Sequence, residues 1–175
     1  MASLELDSHL LAALQTLADH RVEHVVVGDV GDAVHEGGGV VDALAIVPSG
    51  YARNVDRLAE ALDGLGAQLR IAGGRTAPLD PDPARLRQMG RCTLATRRGD
   101  LELDFEPPGT AGYPDLYADA RPTPLGERLA PLVASPEDLD RIDASRASGP
   151  RVSARRASPS ADPAGARERV PARSR

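Results

Sequence analysis

Four acidic residues stand at alternate positions near the middle of the chain: Asp100, Glu102, Asp104 and Glu106. Side chains of an extended strand point to opposite faces in turn, so these carboxylates share one face while Leu101, Leu103 and Phe105 share the other. Carboxylate oxygens are the natural ligands of Mg²⁺. Without partners across a site, however, a lone row of carboxylates binds Mg²⁺ weakly. The same alternation also describes a half-exposed strand with one solvated face and no function at all. Two further acids invite attention. Asp29 follows Gly28 at a strand-to-helix turn, where an anion would meet a helix start, although it can equally cap the segment Val30 to His35. Asp42 precedes the apolar run Ala43 to Pro48, and strand alternation aims it away from the side chains of Ala43 and Ala45 unless a bulge intervenes. His35, with no second His, Cys or Glu at ligand spacing, reads as a structural histidine. Cys92 reads as a small buried strand residue.

Composition narrows the chemistry. The 21 basic residues are all arginine, so the phosphate-binding lysine of a P-loop, a Schiff-base lysine and a Ser-Lys dyad are excluded. A single cysteine permits neither an internal disulfide nor a cysteine zinc cluster. Three tyrosines and one phenylalanine are the only aromatics, which argues against base stacking and for a core of Leu, Val, Ile and Ala. Gly28-Asp29-Val30-Gly31 lacks the spacing of a dinucleotide fingerprint, and Gly37 to Gly39 precede a strand rather than a helix. No signal-peptide core or membrane-length apolar run is present, so a cytoplasmic location is expected.

The elements that must position these groups follow from periodicity. Leu10, Ala13, Leu14 and Leu17 mark a first helix behind a cap at Asp7 or Ser8. A strand at Val22 to Gly28, a polar helical segment to His35 and a second strand ending at Pro48 come next. Val55, Leu58, Leu62 and Leu65 line one face of a helix over Ala52 to Leu65, with Gly66 as its stop. Ala67 to Ile71 reads as a short strand. Ala72 to Gly90 reads as a long surface connection in which Pro83 to Met89 forms at most a turn or two of helix. Arg91 to Thr96 and Asp100 to Phe105 suggest a hairpin. A short helix at Tyr113 to Ala120 and a strand at Leu129 to Ala134 precede a last helix from Pro136 to Arg146, started by Ser135 as cap with acids in its first turn.

Charge separates a folded part from a tail. Residues 1–144 carry 13 Arg against 24 acids, whereas residues 145–175 carry 8 Arg against Asp162 and Glu168. The tail, mostly Ser, Ala, Arg, Pro and Gly, cannot offset its ordering entropy by burial, so one domain over 1–146 and a disordered tail over 147–175 are expected. Weak charge contact with nucleic acid is the most such a tail suggests.

Taken together, Val25-Val26-Val27-Gly28, the polar helix to His35, the strand Asp42 to Pro48, Gly99-Asp100-Leu101-Glu102-Leu103, Glu106-Pro107-Pro108-Gly109-Thr110 and Gly112-Tyr113-Pro114-Asp115-Leu116 resemble the small bacterial nucleotidyltransferase-like proteins that include antitoxin-type members. The resemblance covers most of Leu10 to Arg146. It implies an α/β nucleotidyltransferase-like fold, a small mixed β-sheet flanked by helices. Matching outward from Gly28, the family's small second residue falls on Asp29, its His on His35, its Arg on Gly39, its Thr on Val41, and its two metal-ligating carboxylates on Ala43 and Ala45. The third carboxylate falls on Glu102. Nucleotide would be expected at Gly28 and Asp29, and metal at Ala43, Ala45 and Glu102, but two of these three ligands are methyl groups. A catalytically inactive or severely impaired domain, retained for binding or regulation of a protein partner, is therefore implied, with no cofactor. Mg²⁺ and a nucleoside triphosphate enter only under a rival reading, an active enzyme with a metal site rebuilt from Asp42, Glu102 and Asp104. Other rivals are an antitoxin-like protein that neutralises a partner and a reading frame lost after Ala144.

Overall fold

The computed structural model describes residues 6–39, 41, 43–126 and 128–148. Asp42 and residues 149–175 of the tail expected to be disordered lie outside them, whereas residues 147 and 148, expected in that tail, are helical.

Strand β1 (His24–Val27) is buried along its whole length, as a strand covered on both faces must be. Helix α2 (Asp29–Glu36) returns the chain to β2 (Ala43–Pro48), which pairs antiparallel with β1. The hairpin β5 (Cys92–Thr96) and β6 (Gly99–Leu103) then sets β6 parallel to β2. With β3 (Gln68–Arg70), β4 (Thr76–Pro78), β7 (Arg121–Pro122) and β8 (Leu132–Val133) the sheet has eight strands in the order β4-β3-β5-β6-β2-β1-β8-β7. It is mixed, as expected, but not small.

Strand alternation divides the core in two. Val26, Leu44, Ile46, Leu101 and Leu103 face α1 (Ser8–Asp19) and α3 (Ala52–Gly64), whose leucines complete the larger apolar cluster. Val25, Val27, Ala45 and Val47 face the other way, into a smaller cluster with Leu116 of α5 (Tyr113–Asp119) and Leu139 and Ile142 of α6 (Pro136–Ser148). The helix starts are built as their sequences suggest. The Asp7 carboxylate accepts the His9 N–H at 2.9 Å, and the Ser135 hydroxyl accepts that of Asp138 at 3.2 Å.

Between Ala72 and Gly90 the chain runs over the surface with the expected helical turn or two at Pro83 to Met89, and departs from expectation in one added strand and one buried residue. Thr76–Pro78 extends the sheet as β4, and α4 (Pro83–Gln88), capped by Asp82 with proline in its first turn, buries Leu86 completely. A single apolar residue in a polar helical turn carries too little pattern to announce its burial. Helix α6 continues two residues beyond the expected Arg146. No helix among the described residues is long and apolar enough to cross a membrane.

Candidate functional site

The residues assigned to metal and nucleotide do meet in space. In the parallel pair β2–β6, Ala43 lies beside Asp100 and Ala45 beside Glu102, and Ala45 also pairs with Val27 of β1. Partnered residues share a face, so Ala43, Ala45, Asp100 and Glu102 all point to the side covered by α5 and α6. Gly28 adopts φ 63°, ψ −151°, a region essentially confined to glycine, and a β-carbon there would stand 3.3 Å from that of Ala45. The turn from β1 into α2 thus presses directly on the strand that should carry the ligands.

Gly28 is the N-cap of α2 and Asp29 its first helical residue, so Asp29 does not cap the helix, contrary to expectation. Its charge instead joins a crowd of acids. The carboxyl of Asp32, one turn further along, is raised above its ordinary pKa by burial and by Asp143, Asp29, Glu36 and Asp140. Two of those four neighbours come from α6. A helix start attracts anions through its free N–H groups, but here carboxylates already supply the negative charge.

Glu102 is not free to ligate. Arg91 grips it with two hydrogen bonds, Nε to Oε1 at 3.0 Å and Nη2 to Oε2 at 2.9 Å, and Arg146 of α6 adds Nη2 to Oε1 at 3.0 Å. The forked arrangement fits guanidinium to carboxylate on both oxygens. Hydrogen bonding to Glu102 in turn raises the pKa of Arg91, against the opposing effect of burial. Asp100 is held in the same way by Arg70, at 2.8 and 2.7 Å. Asp104 is only 5% exposed, and burial raises its carboxyl, opposed by the Glu106 N–H, Arg146 and Arg91. The acidic row is therefore not the solvated face that its alternation allows: two of its members are clamped by arginine and one is buried. Sequence reasoning missed the clamps because their partners stand 30, 11 and 44 residues away along the chain and carry no local pattern.

Helix α6 closes this face. Leu139 and Ile142 pack in the cluster that contains Ala45. Leu139 reaches α2 only because residue 31 is glycine, where a β-carbon would come within 3.0 Å of its Cδ1. Gly109 has φ 83°, and a side chain there would collide with Ser145 and the Arg141 carbonyl. Among the described residues no group of three or more His, Cys, Asp or Glu is placed to hold a metal. His35 donates its Nε2–H to the Ala134 carbonyl at 2.8 Å, tying α2 to the lead-in of α6. Cys92 is half-buried on β5, and burial together with Asp104 and Glu102 pushes its thiol up to about 11.

A cleft of about 760 Å³ opens at the other end of the same strands, beyond the carboxyl ends of β2 and β6. Ser49, Tyr51, Arg87, Asp104 and Glu106 line it, and Arg91 connects its wall to Glu102. Sequence reasoning had no signal for this cleft, because its residues come from strand ends and loops. No family model matches the chain, and neither a curated protein nor a solved structure is found similar to it.

Proposed function

We propose that this chain is a nucleotidyltransferase-like domain in which arginines have taken the place of the catalytic metals, leaving a binding module without transferase activity. The plan β1-α2-β2, with β2 antiparallel to β1 and parallel to β6, supports the fold assignment. One observation carries the functional reading: Ala45 lies beside Glu102, and Glu102 is neutralised by Arg91 and Arg146.

The chemistry follows from charge. A two-metal site concentrates positive charge on carboxylates so that a triphosphate can approach them. Here the guanidinium groups are fixed side chains that ion-pair with Glu102 in place of a cation, and they offer no exchangeable position for water or a nucleophile. The methyl group at 45 suits a face packed under α6, where an unpaired carboxylate would be costly. The acids around Asp32 further oppose a triphosphate at the start of α2. The rival metal set of Asp42, Glu102 and Asp104 would have to displace both arginines from Glu102.

Calorimetric titration of the full chain with nucleoside triphosphate and Mn²⁺ tests the proposal. The expected result is no metal-dependent binding tighter than about 0.1 mM, that is, roughly −5.5 kcal/mol. A labelled product from radiolabelled triphosphate would overturn it.

A further inference from the structure

Ser49 follows the last residue of β2. Strand alternation sends its side chain to the same face as Val47, and the bond from the Asp104 N–H to the Ile46 carbonyl, at 3.2 Å, brings Asp104 alongside. The main chain of Ser49 is fully engaged: its N–H donates to the Glu23 carbonyl and its own carbonyl accepts from Asn54 Nδ2, both at 2.9 Å. Its hydroxyl is different. Ser49 is 0% exposed, and its Oγ has no hydrogen-bond partner among the described residues. Asp104, equally close to the interior, accepts the Glu106 N–H on Oδ1 at 3.1 Å, and no ion pair engages it among the described residues. A buried hydroxyl left in this way is costly, and it lines the cleft together with the carboxylate of Asp104. Groups of this kind call for an explanation beyond packing.

The missing partner must bring N–H donors and positive charge. The walls add to this requirement. Tyr51, 72% exposed, and Tyr113 put aromatic rings in the lining, and the exposed Glu106 adds a second carboxylate. Arg146 and Arg91, the two cations that act on Asp104, are already ion-paired with Glu102, whereas Arg87 stays at the exposed rim. We propose that this cleft is a binding site for a small organic cation, an ammonium or amidinium head on a flat apolar body, with Asp104 and Ser49 receiving the head and the tyrosines flanking the body. This inference does not rest on the nucleotidyltransferase-like reading: it uses the carboxyl ends of β2 and β6 and none of Gly28, Asp29, Ala43, Ala45 and Glu102, and of the rival metal set it shares only Asp104.

Titration of the full chain with benzamidine, followed by ligand-observed NMR, tests it, with the neutral benzamide and the anionic benzoate as matched controls. Saturable binding of benzamidine with Kd near or below about 1 mM is expected, with benzamide and benzoate at least about tenfold weaker. Asp104→Asn should weaken benzamidine by about tenfold or more. Ser49→Ala should weaken it about threefold and at the same time raise the unfolding midpoint, because the unpartnered hydroxyl is gone. That opposite movement of affinity and stability separates a binding role from a structural one and does not depend on the Asp104 variant folding well. The proposal is overturned if benzamidine shows no saturable binding, if benzoate binds as well, or if Ser49→Ala leaves affinity unchanged.

Discussion

Installing the carboxylates that are missing from β2 is the most demanding test of how this face is built. Ala45 is 8% exposed and packs with Val25, Val27, Leu139 and Ile142, so Ala45→Asp places a charge in an apolar layer. Truly unpaired, a buried charge is destabilising by about 3–5 kcal/mol. Glu102 is its neighbour in register, however, and Arg146 already reaches Glu102 at 3.0 Å, so part of that cost is recovered by a shared guanidinium. The double variant Ala43→Asp with Ala45→Asp should therefore lose about 2–4 kcal/mol of a total that is ordinarily about 5–15 kcal/mol, and should not respond to Mn²⁺. Adding Arg91→Gln and Arg146→Gln frees Glu102 and leaves three carboxylates facing one another. In that fourfold variant, Mn²⁺ at about 100 times its Kd should return about 2.7 kcal/mol, a rise of roughly 8 °C in the thermal midpoint for a domain of this size. Circular dichroism melts of wild type, double and fourfold variants, each with and without Mn²⁺, provide the comparison. A metal-induced rise in the fourfold variant no larger than in wild type would refute the assignment of Ala43 and Ala45 to the ligand positions. An equal rise in the double variant, with its arginines intact, would instead refute the clamp on Glu102.

Other outcomes follow from the same packing. Leu139→Ala, at a residue 4% exposed, should lower stability by about 2–4 kcal/mol in urea unfolding, through the cavity it leaves beneath α6. Gly28→Ala should lose about 1–3 kcal/mol in the same assay, because alanine does not tolerate φ 63°, ψ −151° and its β-carbon would press on Ala45. The raised carboxyl of Asp32 means that the folded state holds its proton more tightly than the unfolded chain does. Its contribution to stability is accordingly present below the ordinary aspartate pKa and lost as pH rises through the raised value. Asp32→Asn should thus raise the thermal midpoint slightly at neutral pH and not at pH 3, a difference that melts at the two pH values would detect, kept small by solvent screening of this partly exposed group. Cys92, its thiol pushed up to about 11, should resist iodoacetamide in the native protein at pH 8 and react once unfolded; rapid native alkylation would show that it is not protected.

Much of this architecture is written in local pattern. The heptad-like leucines of α1 and α3, the cap Ser135 with acids behind it, and the apolar run of β1 each specify an element through its own residues. Even the meeting of Gly28, Ala45 and Glu102 was foreseeable once β2 and β6 were placed side by side. What stayed hidden depends on partners remote in sequence. Arg70, Arg91 and Arg146 look like ordinary solvated charges until the sheet and α6 deliver them to Asp100 and Glu102. Likewise, nothing near Ser49 or Asp104 announces burial, since each sits at the end of a strand where local pattern predicts exposure. Strands of two or three residues, such as β4 and β7, have too few residues for a period of two to be read at all.

Because α6 supplies half the cover for one side of the sheet, the order of synthesis matters. The cluster around Leu44, Ile46, Leu101 and Leu103 uses residues made early, but Val25, Val27, Ala45 and Val47 wait for Leu139 and Ile142, about a hundred residues behind them. Until that helix is made, a nascent chain would present a strip of valines along paired strands, the kind of surface that sticks to its own copies. A chain that ends just before Pro136 would accordingly contain every residue of one core and leave the other flank adhesive. Chaperones that shield extended apolar segments would engage it in that interval and release it once α6 has docked.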